Sequence, residues 1–207
     1  VWIKICGIKT LEAALAVRKL GGDAVGFNFV KNSRRYISPR KAREIIGNLD
    51  GTIEKVGVFA DAPREEVLTV AGYCQLDTIQ LHGKEDPEYC RGLPYKVIKA
   101  FPVKDRSSLE MIEDYDVDMV LVDSNIKGSF GGSGIPFDWS LLCGFTAGKK
   151  LILAGGLNPQ NVVYAITEVR PFGVDVASGV ETGGKKDIGK IREFIEKVRR
   201  WENENIE

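Results

Sequence analysis

Eight short apolar runs, each followed by a helix-start signal, and two glycine-rich turns closing the last two of them predict an α/β chain folded as a single (β/α)8 TIM barrel. No composition break marks a linker, so one barrel domain is expected over residues 1–207. That length suits one α/β domain with a large core. A doubly wound open sheet is the competing architecture. It does not require the count to be eight, and the chain carries no dinucleotide-binding glycine fingerprint.

The first strand is read over residues 3–6, where Trp2, Lys4 and Cys6 share one face because strand side chains alternate. Thr10 caps a helix over 11–20, with Leu11, Ala14 and Leu15 together, and Gly21-Gly22 ends it. Strand two spans 24–29 and runs into a basic loop, 31–36, that holds Arg34 and Arg35. Ser38-Pro39 starts a helix with Ala42, Ile45, Ile46 and Leu49 inward. Strand three covers 55–59, and the helix opening at Pro63 has Glu65 and Glu66 in its first turn, where negative charge suits the dipole. Strand four is 78–81, followed by a short helix near 87–91. Strand five is 97–100, with a short helix over 107–112. Strand six, 119–122, ends in Asp123.

The longest loop, 124–136, holds Gly128, Gly131, Gly132 and Gly134; a loop of that length in a compact domain is usually functional or disordered. A sixth helix begins near 136–138. Strand seven, 151–153, leads to Gly155-Gly156, with Asn158 as N-cap and Pro159 as first helical residue. Strand eight, 174–176, ends near Ser178-Gly179. The last helix, 187–201, carries Ile188, Ile191, Phe194, Ile195, Val198 and Trp201 at helical spacing, and the tail 202–207 is expected to fray.

Composition narrows the function. Lys+Arg and Asp+Glu both total 29, so no basic excess points to nucleic acid. No apolar run approaches the ~20 residues of a membrane span, and no signal peptide is expected before the first strand. Cys6, Cys74, Cys90 and Cys143 form no Cys-x-x-Cys pair, so neither a zinc site nor a disulfide framework is expected, and the compartment reads as the reducing cytoplasm. The single histidine, His82, rules out multi-histidine metal sites.

In such a barrel, chemistry gathers where the strands end. The turns holding Gly156 and Ser178-Gly179 offer backbone N–H groups at helix starts, a nest suited to a phosphate dianion, although each alone reads equally as a tight turn. Cys6 is either a small buried hydrophobe or a thiol activated by its surroundings. Asp123 is either a cap or a general acid, and a carboxylate after an apolar strand needs solvent or a partner. Arg34 and Arg35 offer planar forks for a carboxylate, or are simply solvated. His82 could bind substrate or shuttle protons, or be structural. Asp175 would need a partner if it faces the barrel.

At these residues the chain resembles the phosphoribosylanthranilate isomerase family of tryptophan biosynthesis. The matching segments are KICGIK at 4–9, GFNF at 26–29, SRRYIS at 33–38, VGVF at 56–59, QLHG at 80–83 and LVDS at 121–124. They continue with GGSG and FDW within 131–139, AGGL at 154–157, VDVASGVE at 174–181 and Lys186-Asp187. Ser133 stands where the family often has threonine, and Lys9 where threonine or asparagine is common. The resemblance implies a cofactor-free Amadori rearrangement of a small phosphorylated substrate, N-(5-phosphoribosyl)anthranilate, to 1-(2-carboxyphenylamino)-1-deoxyribulose 5-phosphate. It maps the general base onto Cys6 and the general acid onto Asp123. It maps the contact to the anthranilate carboxylate onto Arg35, and the phosphate cradle onto Gly156, Ser178 and Gly179. A monomer or homodimer, without nucleic-acid or membrane partners, is expected. Two other readings are a sister phosphate barrel, whose histidine-pathway member uses aspartates as its acid–base pair, and a non-catalytic phosphosugar-binding barrel.

Overall fold

The computed structural model describes residues 1–103, 106–123, 142, 144 and 148–205. Eight parallel strands close into a barrel: β1 (Trp2–Cys6), β2 (Ala24–Asn28), β3 (Glu54–Phe59), β4 (Thr78–Leu81), β5 (Lys96–Pro102), β6 (Met119–Asp123), β7 (Lys150–Ala154) and β8 (Gly173–Val176). Each pairs with the next, and β8 pairs back onto β1, with Lys4 opposite Asp175.

Strand alternation produces two apolar layers. On β6, Val120 and Val122 face outward into the large core under the helices, while Met119 and Leu121 join Ala24, Val56, Ile98, Ala100, Ile152 and Ala154 in a smaller cluster filling the barrel. The same period continues inward to Asp123 at the end of β6 and to Cys6 at the end of β1. Hydrophobic layers therefore fill the barrel from below, and the last inward residue of several strands reaches its C-terminal mouth.

Around the barrel lie α1 (Leu11–Lys19), α2 (Pro39–Ile46), α3 (Arg64–Cys74), α4 (Pro87–Cys90), a 3-10 helix (Arg106–Asp114), α5 (Val162–Val169) and α6 (Ile188–Glu204). Thr10, Ser38 and Asp187 cap α1, α2 and α6 by accepting from the backbone N–H three residues on. A short 3-10 turn (Ser178–Val180) and a small hairpin, β9 (Glu181–Thr182) with β10 (Lys185–Lys186), stand between β8 and α6.

Two expectations are corrected. The helix after β7 begins at Val162 behind Asn161, not at Pro159 behind Asn158. Asn158 instead caps one separate turn, its Oδ1 accepting from Gln160 N at 2.8 Å and Asn161 N at 3.2 Å. The tail does not fray at residue 202: α6 continues to Glu204, with Glu202 paired to Arg199 one turn earlier. The glycine loop 124–136, the helix expected near 136–138 and Cys143 lie outside the described residues.

Candidate active site

The C-terminal mouth opens into a cavity of about 460 Å³. Cys6, Asn28, Arg35, Val58, Gln80, His82, Asp123, Gly156, Asp175 and Ser178 line it, so seven of the eight strand ends contribute. Of the residues singled out from the sequence, Cys6, Asp123, Arg35, His82, Gly156 and Ser178 meet at this one cavity. Gly179 follows directly on Ser178 and is crowded: a Cβ there would stand 1.9 Å from Leu157 O and 2.9 Å from Asn158 Cα. The turns after β7 and β8 are packed backbone to backbone at that point, and a residue without a Cβ permits it. Gly156 is required for a different reason: open space surrounds it, but its φ is +69°. Ser178 and Gly179 open a 3-10 turn, where the first N–H groups have no intrahelical acceptor.

Cys6 is 7% exposed. Burial pushes its thiol above the ordinary range; Lys4 and, more weakly, Lys186 pull the other way, while Asp175 adds to the rise. Lys4 is fully buried, and its Nζ donates to Asp175 Oδ1 at 2.8 Å. This answers the need for a partner at Asp175 and leaves a paired ammonium on the same strand face as Cys6, where its charge favours the thiolate. Burial works against the Lys4 charge, but Asp175 and then Cys6 outweigh it, and Lys4 stays protonated above its usual range. A thiolate formed at Cys6 therefore has a counter-charge in place.

Asp123 stands on the same cavity, about a quarter exposed, with Oδ2 3.4 Å from His82 Nε2. Gln80 Nε2 contacts His82 Nδ1 at 3.1 Å. If Gln80 donates there, Nδ1 is the acceptor and the His82 proton sits on Nε2, turned toward Asp123. Gln80 Oε1 is buried with no protein partner among the described residues.

Arg35 crosses the mouth, its Nε and Nη2 donating to Glu181 at 2.7 and 3.0 Å. Lys186, nearly buried, donates to Glu181 Oε1 at 2.9 Å and to Ala177 O at 2.8 Å. Its burial lowers its pKa despite the support of Glu181. Sequence reasoning did not assign roles to Lys4, Gln80, Glu181 or Lys186. Lys4 was recoverable from its place two residues before Cys6 on the same strand face. Glu181 and Lys186 follow the second glycine turn, but only the hairpin β9–β10 brings them opposite Arg35. Among the described residues no group of three or more His, Cys, Asp or Glu could hold a metal.

A family profile described as N-(5'-phosphoribosyl)anthranilate (PRA) isomerase matches residues 3–197. The N-(5'-phosphoribosyl)anthranilate isomerase of Desulforamulus reducens is 47% identical over 197 residues, covering 95% of this chain and 94% of its own. The crystal structure of phosphoribosyl anthranilate isomerase from Thermotoga maritima aligns with a TM-score of 0.90 at 46% identity, over 97% of this chain and 99% of that one. A further structure, of such an isomerase with reduced 1-(o-carboxyphenylamino)-1-deoxyribulose 5-phosphate, gives 0.87 at 44% identity and the same coverage.

Proposed function

We propose that Cys6 and Asp123 are the base and acid with which this chain, which belongs to the N-(5'-phosphoribosyl)anthranilate isomerase family, isomerises N-(5'-phosphoribosyl)anthranilate in tryptophan biosynthesis. The observation that carries the assignment is convergence. A thiol backed by a buried ammonium and a carboxylic acid backed by a histidine share one cavity with two glycine turns suited to phosphate.

The reaction is an Amadori rearrangement. Asp123 donates its proton to the furanose ring oxygen; the C1′–O bond breaks and the nitrogen lone pair forms a Schiff base. The Cys6 thiolate then removes the proton from C2′, and the C–H electron pair moves to give an enolamine. Tautomerisation of the enolamine yields the ketone, so the substrate is isomerised without net oxidation. A positioned acid–base pair supplies roughly 10²–10⁴-fold for a proton transfer. Gly156, Ser178 and Gly179 cradle the phosphate, Arg35 meets the anthranilate carboxylate, and His82 orients Asp123. The same reading makes the enzyme one barrel domain over residues 1–207, working without a cofactor in the cytoplasm as a monomer or homodimer. No helix among the described residues is long and apolar enough to cross a membrane.

The test is loss of fluorescence from freshly generated N-(5'-phosphoribosyl)anthranilate. Turnover is expected. A folded protein that binds the phosphorylated product but shows no turnover would overturn the enzyme reading in favour of a binding barrel.

A further inference from the structure

Among the described residues the Arg35 guanidinium is engaged along one edge only. Its Nε–H and one Nη2–H run side-on into the two oxygens of Glu181. That leaves the other edge, made by Nη1 and the second Nη2 hydrogen, pointing away from Glu181, and a planar guanidinium can take a carboxylate on each edge. Both ends of the side chain are fixed. Its stem rests on Gly7, where a Cβ would stand 2.5 Å from Arg35 Cδ. Its head is held by a carboxylate that is itself 7% exposed. Glu181 is anchored in turn: it accepts from Lys186 Nζ at 2.9 Å, and its backbone oxygen accepts from Lys190 Nζ at 2.9 Å. Lys186 also reaches Ala177 O, in the turn that follows β8.

We propose that Glu181 is a positioning residue for substrate recognition: it holds Arg35 side-on so that the outer guanidinium edge faces the anthranilate carboxylate. The proposal rests on the functional reading above. A free arginine would lose rotamer freedom on meeting its substrate, whereas one ordered during folding has already lost it. The rival arrangement makes Glu181 an internal competitor that must leave before substrate binds. That departure would strip Lys186, nearly buried, of its counter-charge, which is costly. Burial opposes the Glu181 charge, yet Arg35 and Lys186 outweigh it and hold the carboxyl below its ordinary range. The two arrangements predict opposite signs.

The experiment measures, by calorimetry, the Kd of the product and of 1-phenylamino-1-deoxyribulose 5-phosphate, which lacks the carboxylate, for the unsubstituted chain, Glu181→Gln and Glu181→Asp. Glutamine keeps the size but gives up the charge. Product binding should weaken on the order of tenfold to a hundredfold in Glu181→Gln, the range for a hydrogen bond to a charged group, while the carboxyl-free analogue binds as before. Glu181→Asp should recover part of the loss, and in an Arg35→Ala background Glu181→Gln should add nothing. Equal weakening for both ligands, or tighter product binding, overturns the proposal. Should Glu181→Gln not fold, Glu181→Asp carries the same comparison, with selective weakening expected and equal weakening contradicting. Absence of turnover in the unsubstituted chain would instead strike at the functional reading, and that is measured separately.

Discussion

β6 carries an aspartate at each mouth of the barrel, and the two have opposite fates. Asp118, just before the strand, gives its carboxylate to the backbone N–H of Val97 on β5, at 2.8 Å. Asp123, at the far end, faces the cavity beside His82. The N-terminal arrangement recurs. Asp23 precedes β2 and accepts from Ile3 N of β1 at 2.7 Å, and Asp77 precedes β4 and accepts from Lys55 N of β3 at 2.8 Å. Three even-numbered strands are thus braced at their entry to the strand before. At this mouth carboxylates satisfy backbone donors; at the other the inward Asp123 lines a cavity beside the side chain of His82. The same residue type braces the backbone at one end of the strand and lines the cavity at the other.

Substitutions at the two mouths should separate activity from stability. The largest effect belongs to Cys6→Ser and Asp123→Asn, each expected to lower kcat/KM by at least about 10²-fold with the thermal midpoint little moved. Retention of activity by either variant in the fluorescence assay would break the comparison. Gly179→Ala comes next. The new methyl would meet Leu157 O, so a loss of about 1–3 kcal/mol from overpacking is expected in denaturant titration, together with weaker phosphate binding. Gly156→Ala sharpens the point: with open space around it, only its positive φ resists, at about 1–2 kcal/mol. The smallest effect is at the other mouth. Asp118→Ala should cost about 1 kcal/mol by leaving Val97 N–H unmet, with kcat unchanged. A change in kcat there would mean that the lower rim reaches the chemistry.

Much of this fold was legible because strand alternation and punctuation are local signals. The eight strands fall where apolar runs meet turn residues, within two residues at each end, and closure follows from their number. The start of α5 was misread because Asn158 and Asn161, three residues apart, are both competent caps, and only the backbone of the turn decides between them. The site was legible as a set of strand ends. Its wiring was not: Lys4 and Asp175 are 171 residues apart, and Arg35 and Glu181 are 146 apart. Asp175 advertised a need for a partner, yet no spacing rule names Lys4. Closure of β8 onto β1 supplies the pairing.

The most direct test of the acid–base assignment is the pH dependence of a single turnover in the unsubstituted enzyme, which excludes product release. Burial raises the Cys6 thiol, so near neutral pH the base is largely protonated, and its reactive form grows about tenfold per pH unit until its pKa is approached. The account predicts a rate that climbs with pH from about pH 6, and a climbing limb that disappears from the residual activity of Cys6→Ser. A rate flat from about pH 6 to 9, or a limb that survives in Cys6→Ser, would contradict Cys6 as the base.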